Sequence, residues 1–145
     1  MRALHTAAFT LLFLFTAMSD RQAAAESLTM IFEASREAAK DAVLQAFIPN
    51  GYRIKTETDH LLVLDRPVRD NLRARLAFGS SFNGIPTARI RVAFLGNDPV
   101  TIHYFLAVVT NTNSNFESER DLSISSQAHG TATARMREAK LNAEQ

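Results

Sequence analysis

The sequence predicts an α+β fold: a two-layer sandwich whose antiparallel sheet of about five to six strands carries an N-terminal and a C-terminal helix on one face, in the order β-α-β-β-β-β-β-α. Three observations predict it. Ala88 to Thr110 reads ARIRVAFL, GNDP and VTIHYFLAVVT, two β runs on either side of a turn. Ala39, Ala42, Val43, Ala46 and Phe47 recur at helical spacing ahead of that hairpin. From Phe116 to Gln145 there is no proline and little β-branching, which favours helix over strand.

The chain opens on Met1-Arg2, an apolar run from Ala7 to Met18, and Ala23-Ala24-Ala25. A positive start, a short apolar core and a small-x-small site predict that residues 1–25 are a cleaved signal peptide. The run is shorter than the roughly 20 apolar residues of a membrane span, and Asp20 and Arg21 follow it closely. The mature chain, residues 26–145, is then expected to be one domain with no transmembrane span, periplasmic or secreted. Without Arg2, Asp20 and Arg21 it has 14 basic and 14 acidic residues, so its net charge points to no nucleic-acid partner. It has no cysteine. That excludes a disulfide, a thiolate nucleophile and a cysteine-linked lipid.

Each element follows from local chemistry. Ser27 to Phe32 is short and apolar, a first strand. Ser35 is placed to cap a helix whose apolar stripe runs from Ala39 to Phe47, and Pro49-Asn50-Gly51 ends it. Tyr52 to Thr58 alternates and Leu61 to Leu64 is its apolar partner, with Asp59-His60 as the turn and a stop near Pro67. Leu72, Ala74, Leu76 and Phe78 alternate with Arg73, Arg75 and Ala77, predicting a strand over 69–78, followed by a loop from Gly79 to Thr87. In the hairpin, Arg89-Ile90-Arg91-Val92 has the period of a strand with one polar face. Tyr104 to Val109 is apolar on both faces, as a central strand covered on both sides requires. Ser114 and Glu117 have capping-box spacing. Leu122, Ser125, His129, Ala132, Met136, Ala139 and Ala143 then form a thin stripe, expected to be one or two helix segments frayed beyond Leu141.

By element order the chain is similar to the helix-grip and TATA-box-binding-protein-like architectures. The phrases GYRI, LLVLDRP, ARLAFGS, PTARIRVAF and VVTN resemble a recurring type of small bacterial envelope protein over about half the mature chain. That resemblance brings no catalytic motif and no functional residue.

The functional candidate is a local excess of arginine. Arg66, Arg69, Arg73, Arg75, Arg89 and Arg91 stand against Asp70 alone between positions 66 and 91. If 72–78 pairs with 88–92 so that Arg75 faces Arg89, Arg73 faces Arg91. The guanidinium groups of Arg73, Arg75, Arg89 and Arg91 then leave one face, with leucine and isoleucine on the other. Guanidinium suits carboxylate and phosphate, so the expected partner is an acidic protein or another anionic component of the envelope. The competing reading is a solvated face neutralised by Glu57, by acids within Glu117-Ser118-Glu119-Arg120-Asp121, or by counterions.

His60, His103 and His129 have no metal-ligand spacing, there is no GxSxG elbow, and the stretch after Gly79 lacks the lysine of a phosphate loop. No cofactor, metal or catalytic residue is expected. The expectation is a non-enzymatic binding or accessory domain. The alternative is a small carrier holding an apolar ligand between the sheet and the C-terminal helix.

Overall fold

The computed structural model describes residues 27–69, 84–122 and 126–145. Over these the chain runs β1 (Leu28–Phe32), α1 (Arg36–Phe47), β2 (Arg53–Glu57), β3 (Leu61–Pro67), β4 (Thr87–Gly96), β5 (Val100–Thr110), β6 (Ser118–Asp121) and α2 (Gln127–Ala143). Both helices pack on one face of a six-stranded antiparallel sheet, so the predicted α+β class holds. The strand expected over 69–78 falls almost wholly outside the described residues.

Helix α1 begins where Ser35 Oγ accepts the Ala38 N–H at 3.2 Å. Its whole predicted stripe, Ala39, Ala42, Val43, Ala46 and Phe47, is buried. A 3₁₀ turn at Ile48–Asn50 follows, and Gly51 takes the left-handed conformation at φ 85° that only glycine adopts without strain. Arg36 donates to the Gly96 carbonyl, tying the start of the helix to the β4–β5 turn.

Strand β5 is the hub of the sheet. Strand β4 runs along one edge of it for its full length, Gly96 opposite Val100 to Thr87 opposite Val109. The other edge is shared: β1 takes Val100 to Tyr104 and β6 takes Ala107 to Thr110. The Leu122 N–H donates to the Leu106 carbonyl at 2.9 Å and continues the β6 ladder. In the run expected to be covered on both sides, Tyr104, Leu106, Ala107, Val108 and Val109 are buried, while Phe105, on the face away from the helices, is only half-buried.

Strand β6 corrects the expectation of helix from Ser114 onward. Asn111 and Asn113 adopt left-handed φ of 55° and 64°, and Ser114 Oγ accepts from Phe116 N–H and donates to the Asn111 carbonyl. The serine therefore closes a turn, and Ser118–Asp121 is recruited by the unpaired half of β5 despite its lack of β pattern. The helix starts later, where Ser126 Oγ accepts the His129 N–H at 3.2 Å. It also runs past Leu141 to Ala143, because Glu144 accepts the Glu33 N–H at 2.8 Å and Lys140 donates to the Ile31 carbonyl.

Phe32, Phe47, Leu62, Leu64, Ile90, Phe94, Ile102, Tyr104 and Met136 form the core between sheet and helices. Tyr104 donates to Thr133 Oγ1 at 3.0 Å. His129 belongs to this layer too. Its Nε2 lies 3.0 Å from the Leu122 carbonyl, which can only accept, so Nε2 carries the proton and joins α2 to the end of β6.

Candidate binding face

On the sheet face turned away from the helices, β3, β4 and β5 present Asp65, Arg89 and Ala107 in one cross-strand row, and Val63, Arg91 and Phe105 in the next. Arg89 and Arg91 thus share a face, as two residues of one strand separated by one must. The pairing expected for them does not occur. The sheet positions beside them are taken by Asp65 and Val63 on one side and by Ala107 and Phe105 on the other. The reason is strand order: β3 and β5 occupy the two edges of β4 and leave no edge for a third strand. Arg73 and Arg75 lie outside the described residues.

Arg89 is buried, at 4% exposure, beneath three carboxylates. Its Nε and Nη2 donate to the two oxygens of Asp65 at 2.8 Å each, a bidentate fork. Its Nη1 donates to Glu117 at 2.8 Å and to Glu119 at 3.0 Å. Arg91 also donates to Glu119 and lies over the Phe105 ring, 5.5 Å from its centre. Lys55, at the bulge in β2, reaches Glu117 at 3.2 Å and Asp65 at 4.0 Å. Three cations and three carboxylates close on one another. Of the acids expected to neutralise this face, Glu117 and Glu119 do so, while Glu57 pairs with Lys40 at 3.6 Å.

The network sets the titration of Glu117. The Asn113 N–H at 3.0 Å, then Arg89 and then Lys55 stabilise its charged form and lower it from 4.5 to about 2. A carboxylate depressed on folding adds stability that is complete above its unfolded value and lost as pH falls through its folded one. Glu117→Gln is therefore expected to weaken the fold at neutral pH. Its deficit against the parent should shrink as the pH is lowered from about 4.5 to about 2, read by urea melts across that window.

Three further arginines cluster at the Pro67 end of β3. Arg53 stands directly across from Asp65 in the β2–β3 register, on the same face. Arg66 lies over the Tyr52 ring, 5.2 Å from its centre, and Arg69 follows the strand. Among the described residues none of the three forms an ion pair. Arg53 and Arg69 line a cleft of about 550 Å³ whose far wall is the Asn111–Ser114 loop. With Arg66 they also line an adjoining cleft of about 440 Å³ beside Asn50 and Gly51.

The histidines do not converge. His60 lies in the β2–β3 turn, His103 contacts Thr29 Oγ1 at 3.1 Å on the outer face, and His129 is in the core. Among the described residues no group of three or more potential metal ligands exists, and no helix is long and apolar enough to cross a membrane. The layer between sheet and helices, where an apolar ligand was the alternative expectation, holds Phe32, Phe47, Phe94, Tyr104 and Met136, each at most 1% exposed. Compared with protein-family models, curated proteins and solved structures, the chain matches none.

Proposed function

We propose that the chain is a non-enzymatic binding or accessory domain of the bacterial envelope, periplasmic or secreted, that receives an acidic protein or another anionic partner on the basic end of its sheet. The supporting observation is the contrast between two sets of arginines. Arg89 and Arg91 already hold carboxylates of their own chain, and an incoming acid would have to displace them. Arg53, Arg66 and Arg69 have no ion-pair partner among the described residues and stand beside clefts. In this reading Arg89 supports the contact surface, and Arg53, Arg66 and Arg69 make the contact.

The test is capture of partners from a periplasmic extract by the parent and by a variant carrying Arg53→Gln, Arg66→Gln and Arg69→Gln. The parent should retain an anionic partner at low salt and lose it as ionic strength rises, because contacts between exposed charges are screened. The triple variant should not retain it. An unchanged set of captured partners overturns the proposal.

A further inference from the structure

We infer that the cleft between Arg53, Arg69 and the Asn111–Ser114 loop is an oxyanion site, shaped for one phosphate or carboxylate group. The inference deepens the binding reading above and rests on it.

The decisive geometry is at Asp65, the one carboxylate among the described residues lining this cleft. Across the β2–β3 ladder it is the natural partner of Arg53. Both of its oxygens, however, are held at 2.8 Å by the buried fork of Arg89. The carboxylate across from Arg53 is thus engaged by its opposite neighbour, and Arg53 lines the cleft with Arg69 without an ion-pair partner among the described residues.

The rest of the wall is uncharged, apolar at Pro67 and Ile85 and polar on the side of the loop. Thr87, Asn111, Thr112, Asn113 and Ser114 line it, and the loop is held in shape from within. Thr112 Oγ1 donates to Thr87 Oγ1 at 3.0 Å, and the Asn113 N–H is fixed on Glu117. A cleft of about 550 Å³ lined by two arginines, one already engaged carboxylate and otherwise uncharged residues falls in the size range of small-ligand sites. The planar fork of arginine matches the oxygens of carboxylate and phosphate.

The experiment titrates the folded protein with inorganic pyrophosphate and, separately, with citrate, following the arginine Nε–Hε resonances by NMR and the heat by calorimetry. Binding of either probe, weakened roughly tenfold or more by Arg53→Gln or Arg69→Gln, is the expected result. Arg137→Gln, on the helix layer, should leave it unchanged. Preference for pyrophosphate assigns a phosphate source and preference for citrate a carboxylate source. No binding by the parent, or equal binding by parent and both variants, overturns the site. Loss of the envelope partner in the triple variant without small-oxyanion binding would sink the site and leave the binding reading intact. Oxyanion binding with partner capture unchanged would do the reverse.

Discussion

Arg89→Ala is expected to lower stability by about 3–5 kcal/mol, a large share of the roughly 5–15 kcal/mol that holds a domain of this size together. The reason is what the substitution leaves behind. Arg89 makes four hydrogen bonds to three carboxylates from beneath them. Removing it strands Asp65, Glu117 and Glu119, which are only 15%, 25% and 20% exposed, beside one another with Lys55 and Arg91 as remaining cations. Partly dehydrated like charges at this spacing repel, and their lost hydrogen bonds are not replaced by water at full strength.

Two companion variants separate this cause from loss of volume. Arg89→Lys keeps a positive charge but not the fork, and a single ammonium cannot satisfy both oxygens of Asp65 and also reach Glu117 and Glu119. It should recover little. Combining Arg89→Met with Asp65→Asn, Glu117→Gln and Glu119→Gln removes the stranded charges and should recover most of the loss, since a neutral replacement of a buried ion cluster is often nearly as stable. Urea melts of the three proteins decide it. A single Arg89→Ala variant within about 1 kcal/mol of the parent would show that the network behaves as a surface ion pair.

The same network marks where the sequence was readable and where it stopped being so. Alternation at Arg89-Ile90-Arg91-Val92 states which side chains share a face, and that reading holds. It does not state which strand lies alongside. The unbroken apolar run Leu61 to Leu64 and the alternating Leu72, Ala74 and Leu76 could each line an apolar face of β4, and local pattern cannot choose between them. Asp65 was missed for that reason: an acid in the phrase LLVLDRP gains meaning only once β3 is known to lie beside β4.

The elements that came through intact carry their own signals. The hairpin at Ala88 to Thr110 corresponds to β4 and β5, because GNDP can only turn there. Helix α1 has its cap, its stripe and its terminating glycine in contiguous sequence. Strand β6 has none of these. Ser118-Glu119-Arg120-Asp121 is a strand because β1 leaves half an edge of β5 unpaired, and tertiary demand overrides weak propensity there. His129 was placed on the correct stripe, but its partner, the Leu122 carbonyl, is a backbone atom that no residue type announces.

Phe94→Ala should cost about 3–5 kcal/mol, comparable to the loss of Arg89 but by another route. Phe94 is fully buried on β4, on the face turned toward the helices, in the row that also contains Ile102 and Met30. The helices bring mostly small side chains to this layer: Ala39, Ala42 and Ala46 from α1, Ala132 and Ala139 from α2. Bulk comes chiefly from the sheet. Deleting a phenyl ring from that side leaves a space that alanine side chains are too short to fill. Met136 is the one long flexible side chain that α2 contributes to this core. The loss should therefore sit in the upper part of the range, seen as a melting temperature lowered by roughly 10–20 °C. Phe116→Ala, at a ring 81% exposed, should stay within about 0.5 kcal/mol of the parent. An apolar cavity of this kind stays dry and admits a small aromatic, so benzene should raise the melting temperature of Phe94→Ala and not that of the parent. A parent already stabilised by benzene would mean that the layer has room of its own, and would move the function from the arginine clefts to the space between sheet and helix.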